Sequence, residues 1–110
     1  MGLDTTHNAW HGAYSRFHRW RVAVANAIGI NIDEMEGFGG TKDWDQNHPL
    51  TPLLHHSDCD GDLSVEECKR LIIGLTEIKD KLEPEWKERA EQFIKGCQDA
   101  IEADESIEFH

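Results

Sequence analysis

From His56 to Glu67 the chain reads His-Ser-Asp-Cys-Asp-Gly-Asp-Leu-Ser-Val-Glu-Glu, with oxygen-bearing side chains at alternate positions around one glycine. A hard cation such as Ca²⁺ takes its ligands from such an array: a calcium loop has twelve residues, ligands at positions 1, 3, 5, 7, 9 and 12, and glycine at 6. Setting Gly61 at the sixth position makes Asp58 third, Asp60 fifth, Asp62 seventh through its carbonyl, Ser64 ninth and Glu67 twelfth. Leu63 falls eighth, where two such loops pair and an apolar residue is wanted. His56 stands first, where an aspartate is expected. It replaces an anionic oxygen with a nitrogen, which suits zinc, manganese or iron better than calcium. Calcium is therefore the expected cation at weak affinity. A shift that makes Asp58 the first ligand puts Leu63 where glycine belongs and is rejected.

The same residues have a plainer use. Ser64 and Glu67 make a capping box for a following helix, and an acidic turn around Gly61 needs no ion to form. Calcium loops usually face a second loop, and the tail offers a partial one. Asp104 to Phe109 imitates positions 5 to 10, with Ile107 in the place that Leu63 holds, but it lacks the glycine and has Ala100 in first position. It is expected to be a non-binding partner strand or a simple extended end.

Histidine is the second source of chemistry, at seven residues in 110. On one continuous helix His7, His11 and His18 project within about 40° of one another, beside Tyr14. Asp4, one turn back, completes a possible transition-metal set. If that helix packs on the acidic loop, Asp4, His7, His11, His56, Cys59 and His110 converge, and Zn²⁺ or another divalent transition metal held there can activate a water for hydrolysis. Cys59 separates the two readings, because the fourth position of a calcium loop supplies no ligand. The plain alternative is that boundary histidines cap a core. No nucleophile elbow, phosphate loop or zinc-protease helix supplies a reaction class, so enzymatic activity is left open.

The elements that must position these groups read as helical. Trp10, Ala13, Tyr14, Phe17, Val24 and Ile28 recur at three and four, predicting a helix from about Asn8 to Ile28. A loop follows through Asn47, with one short turn near Asp33 to Met35. Thr51-Pro52 opens a short entering helix carrying Leu53 and Leu54. Cys68, Leu71, Ile72, Leu75, Ile78 and Leu82 give the exiting helix. Pro84 starts another, with Trp86, Ala90, Phe93, Ile94, Cys97 and Ile101 as far as Ala103. Ser106 to His110 alternates as an extended strand does. The expected fold is all-α: one helical domain over residues 1–110, a small bundle with a helix-loop-helix at 50–80 and a short extended C-terminal segment.

With 22 acidic against 11 basic residues the formal charge is −11, which repels nucleic acid and anionic membrane and favours cations or basic partners. No run of about 18 apolar residues is present for a membrane helix. Cys59, Cys68 and Cys97 read as reduced thiols of a cytoplasmic protein. Met1-Gly2-Leu3-Asp4-Thr5-Thr6 fits a myristoylation pattern, a short one that recurs by chance. A protein partner or homo-oligomer is compatible with the four tryptophans, although core packing is their commoner use.

His56 to Leu75 resembles the loop and exiting helix of the EF-hand superfamily, lacking the first ligand. The resemblance implies a helix-loop-helix that binds Ca²⁺. The whole chain is also similar to a group of short bacterial and phage proteins of no assigned activity, through Asp4-Thr5-Thr6-His7, Trp10-His11-Gly12-Ala13-Tyr14, His56-Ser57-Asp58-Cys59-Asp60-Gly61 and Glu108-Phe109-His110. That likeness implies that His110 is the natural end. A plain interaction module, with the loop serving only as a cap, is the third reading.

Overall fold

In the computed structural model, which describes residues 2–56 and 61–110, helix accounts for about 58% of those residues and strand for 13%. Among the described residues four α-helices and four short strands follow one another. They are β1 (Gly2–Asp4), β2 (His11–Ala13), α1 (Tyr14–Ala27), α2 (Thr51–Leu54), β3 (Asp62–Leu63), α3 (Val65–Ile78), α4 (Pro84–Ala103) and β4 (Ile107–Glu108).

The regular half of the molecule is a pair of helices. Ser64 caps α3 through the expected capping box, and Pro84 opens α4 where a missing N–H costs nothing. Between them the chain turns in one 3₁₀ turn, Lys79–Lys81. Leu71, Leu75 and Ile78 of α3 and Ala90, Phe93, Cys97 and Ala100 of α4 are buried, each set at helical spacing. These two helices pack on each other more extensively than any other pair of elements. Asp104 then ends α4 in the left-handed region at φ 56°, and the chain turns back as a strand.

Helix α1 supplies the aromatic centre. Trp10 stacks on Trp20 at 5.3 Å and meets Phe17 edge-on at 5.0 Å, while Trp20 lies 5.3 Å from Phe93 of α4. All four rings are fully buried or nearly so. Such pairs add about 0.5–1.5 kcal/mol each beyond their buried area.

The all-α expectation is overturned by two small antiparallel sheets, which make the molecule a mixed α and β structure. The first joins β1 to β2, with Leu3 opposite Gly12 and Asp4 opposite His11. The second joins β3 to β4, with Leu63 opposite Ile107. Helix α1 consequently begins at Tyr14, not near Asn8. The physical reason lies upstream of it. Trp10 donates its backbone N–H to Thr5 Oγ1 at 2.9 Å and its carbonyl accepts from Thr5 N at 3.1 Å, closing a loop in which His7 and Asn8 have φ of 59° and 54°. Ala9 is pressed against α4 at Gly96, where a Cβ would stand 2.4 Å from the Ala9 methyl. Leu3, Ala9 and Trp10 are thus buried from an irregular backbone. Trp10 and Ala13 fall at helical spacing from Tyr14 and Phe17 without belonging to the helix.

The two sheets meet through the tail. Thr5 bridges Phe109, His110 N–H donates to the Asp4 carbonyl at 2.9 Å, and Phe109 N–H donates to the Gly61 carbonyl at 2.9 Å. The C-terminal segment therefore lies between the N-terminal segment and the second half of the acidic loop.

Candidate functional site

The described part of the loop is His56 on one side and Gly61 to Glu67 on the other; Ser57, Asp58, Cys59 and Asp60 lie outside the described residues. Helix α2, one turn long, delivers His55 and His56. Gly61 has φ 90°, a conformation that side-chain-bearing residues rarely adopt, and directs the chain into β3. Leu63, fully buried, then pairs with Ile107, so the segment at loop positions 7 and 8 is held by β4. Ser64 N–H donates to Glu67 Oε1 at 2.9 Å, and Glu67 N–H donates to Ser64 Oγ at 3.1 Å. That box fixes the ninth and twelfth positions against the start of α3.

His56 occupies the centre of what is described. Its Nε2 lies 2.8 Å from the carbonyl oxygen of Asp62, the seventh position. A carbonyl only accepts, so Nε2 carries the proton. The ring rests on Phe109 with centroids 4.2 Å apart. Phe109 in turn meets Phe17 edge-on at 6.0 Å, which connects the loop to the aromatic centre.

Beneath the loop lies Arg21, only 2% exposed. Its guanidinium donates through Nη1 to the His56 carbonyl at 2.5 Å and sits over the rings of Phe17 at 4.6 Å and Phe38 at 5.3 Å. A guanidinium keeps its charge when buried, so it places a fixed positive charge against the His56 carbonyl. Sequence reasoning passed over it, although the signal was present: Phe17, Arg21, Val24 and Ile28 recur at helical spacing, and a cation on an apolar stripe must find acceptors. Phe109 was missed as well, because alternation in five tail residues does not say what they pair with.

Outside this centre, His55, His56, Glu67 and Arg70 join Gln46, Thr51 and Pro52 around an open cleft of about 230 Å³. Arg70 is held there by the carbonyls of Gln46 at 2.9 Å and His48 at 2.7 Å.

The histidine ridge does not form, because His7 and His11 precede the helix. His11 stands opposite Asp4 across the first sheet and bonds to its carboxylate through Nδ1. His7 turns to the other end of α4, with Nε2 3.3 Å from Glu105 Oε1. His18, on α1, stacks near Phe38 at 6.2 Å. His110 meets Asp4 by backbone only, through the two hydrogen bonds between their amides and carbonyls. Of the proposed transition-metal set, then, Asp4 and His11 come together, His7 and His56 are engaged elsewhere, and Cys59 lies outside the described residues. Among the described residues no three His, Cys, Asp or Glu side chains converge as metal ligands.

The other two thiols face each other inside the helical pair. Cys68 and Cys97 are fully buried, and the hydrogen bond between them together with burial pushes the Cys97 thiol far above its ordinary range. The same hydrogen bond lowers the Cys68 thiol, so the pair shares its proton unevenly, and burial keeps both away from solvent. Among the described residues no helix is long and apolar enough to cross a membrane. No protein-family model, characterised protein or solved structure matches this chain, so its residues alone must carry the functional reading.

Proposed function

We propose that the protein binds a divalent cation, Ca²⁺ at weak affinity, in an EF-hand-like loop. Its ligands are Asp58, Asp60, the Asp62 carbonyl, Ser64 and Glu67, with His56 at the first position. The observation that carries this reading is the antiparallel pairing of Leu63 with Ile107. A lone acidic cap has no use for a strand at that point, whereas a cation loop gains rigidity from a bridge at its eighth residue. The glycine turn at Gly61 and the capping box that orients Glu67 support it. β4 takes the part that a second loop usually plays, so one loop is completed within a single chain.

The charge balance agrees. A chain with net charge −11 concentrates cations at its surface, and the loop is one of its denser acidic stretches. Loss of the first carboxylate puts the expected dissociation constant at the weak end for such loops, about 10⁻⁴–10⁻³ M. The transition-metal reading has lost its convergence with the histidine ridge, and a metal-free interaction module remains the alternative that the experiment must exclude.

Calorimetric titration of the whole protein with Ca²⁺ and separately with Zn²⁺ tests the assignment. Calcium heat is expected in the wild type and not in Glu67→Gln. Glutamine keeps the capping-box geometry and removes the anionic oxygens, so lost binding with an unchanged melting curve reports a ligand. Absence of any calcium-dependent heat or melting shift would overturn the reading. Tight zinc binding abolished by Cys59→Ser would replace it with the transition-metal site.

A further inference from the structure

We infer that His56 is the cation's built-in substitute: in the metal-free loop its imidazole ties the first loop position to the Asp62 carbonyl, and cation binding is an exchange that displaces it. This inference rests on the proposed cation reading for its second half and on geometry alone for its first.

In a calcium loop the metal links the first and seventh positions, because both direct an oxygen at one centre. Here His56 Nε2 and the Asp62 oxygen make that link at 2.8 Å. Three neighbours shape a seat for the ring. Phe109 lies against it at 4.2 Å, and is itself fixed by its N–H bond to the Gly61 carbonyl. Gly61 leaves the space it needs: a Cβ there would stand 3.3 Å from His56 Cε1 and 3.4 Å from Nε2. Arg21 donates to the His56 carbonyl at 2.5 Å and so ties its backbone to α1. The glycine thus serves two purposes, the turn and the room for an imidazole.

An N–H directed at the Asp62 carbonyl is incompatible with a cation at the same oxygen, since both approach its electron-rich side and the donor hydrogen repels the ion. Cation entry must therefore break the hydrogen bond and move the ring off Phe109. The cost is subtracted from the affinity of every cation.

The test has a metal-free part and a titration. By ¹⁵N NMR of the metal-free protein at alkaline pH, His56 is expected as the Nε2-protonated tautomer, and the Phe109 amide as protected from exchange; His56→Ala should lose that protection. A freely tautomerising His56 would overturn the inference. In calcium titrations His56→Asp is expected to bind about tenfold or more tightly than wild type, because it removes the substitute and restores the anionic ligand. His56→Asn, which adds an oxygen without charge, should also bind more tightly, by a smaller factor, and guards against a misfolded aspartate variant. Equal affinity in wild type and both variants, still lost in Glu67→Gln, would overturn the exchange and leave the cation reading standing. No calcium binding in any of them, with the Nε2-bound proton intact, would remove the cation and the exchange together.

Discussion

The α3–α4 pair and the N-terminal segment 2–13 both bury large apolar groups in one core, yet they hold their backbones in opposite ways. In the helices every interior amide is satisfied by a carbonyl four residues away, so burial alone decides which face points inward. In the N-terminal segment the amides find partners across a strand, on a threonine hydroxyl or on the far end of the chain. Asp4 N–H, for instance, donates to the His110 carbonyl at 3.4 Å. The lesson is that hydrophobic spacing identifies an element only when the element is self-satisfied. Where hydrogen bonds come from elsewhere, the same spacing carries no information about conformation.

If the irregular segment is as integral as the helices, its core residues should cost as much to remove. Trp10→Ala is expected to destabilise by about 3–5 kcal/mol and Leu71→Ala of α3 by about 2–5 kcal/mol, read by urea unfolding. A loss below about 1 kcal/mol at Trp10 would show a segment merely laid over a helical core. Gly96→Ala examines the contact between the two regions. The added methyl would stand 2.4 Å from that of Ala9, so about 1–3 kcal/mol should be lost although alanine favours the helix itself. A stabilised Gly96→Ala protein would mean that the N-terminal segment yields to the helix. The smallest effects come from matched single hydrogen bonds: Ser64→Ala removes the cap of α3 and Thr5→Ala removes the acceptor of Trp10 N–H, each costing about 1 kcal/mol. Amide exchange separates them, since the first should open the start of α3 and the second the amides of β1 and β2.

How much could be read from the sequence follows from the same distinction. The capping box at Ser64 and Glu67, the helix start at Pro84, its end at Ala103 and the one-turn α2 are local events, and the residues that cause them are adjacent. The extended character of Ser106 to His110 was legible, and so was Ile107 as a candidate partner for Leu63. The first sheet was not. β1 and β2 have three residues each, too few to show a period, and Trp10 and Ala13 fall by accident at helical distance from Tyr14 and Phe17. The histidine ridge failed with that helix, because a ridge exists only if its backbone does. At the loop, alternating oxygens made a cation the expectation. The groups that hold His56 and Gly61, Arg21 and Phe109, come from distant parts of the sequence.

The pairing of β4, which follows α4, with β3, which precedes α3, sets the order in which the candidate site can be completed. During synthesis α1 and α3 can form as soon as their residues have left the ribosome, and α4 can close on α3 shortly afterwards. The loop's half-strand must wait, because its partners Ile107 and Phe109 follow α4 in the sequence. Contacts of such long separation close late and at the largest entropic expense. His56 then has no ring to rest on until Phe109, beyond α4, has been made, and the candidate site comes into being only after the helical pair.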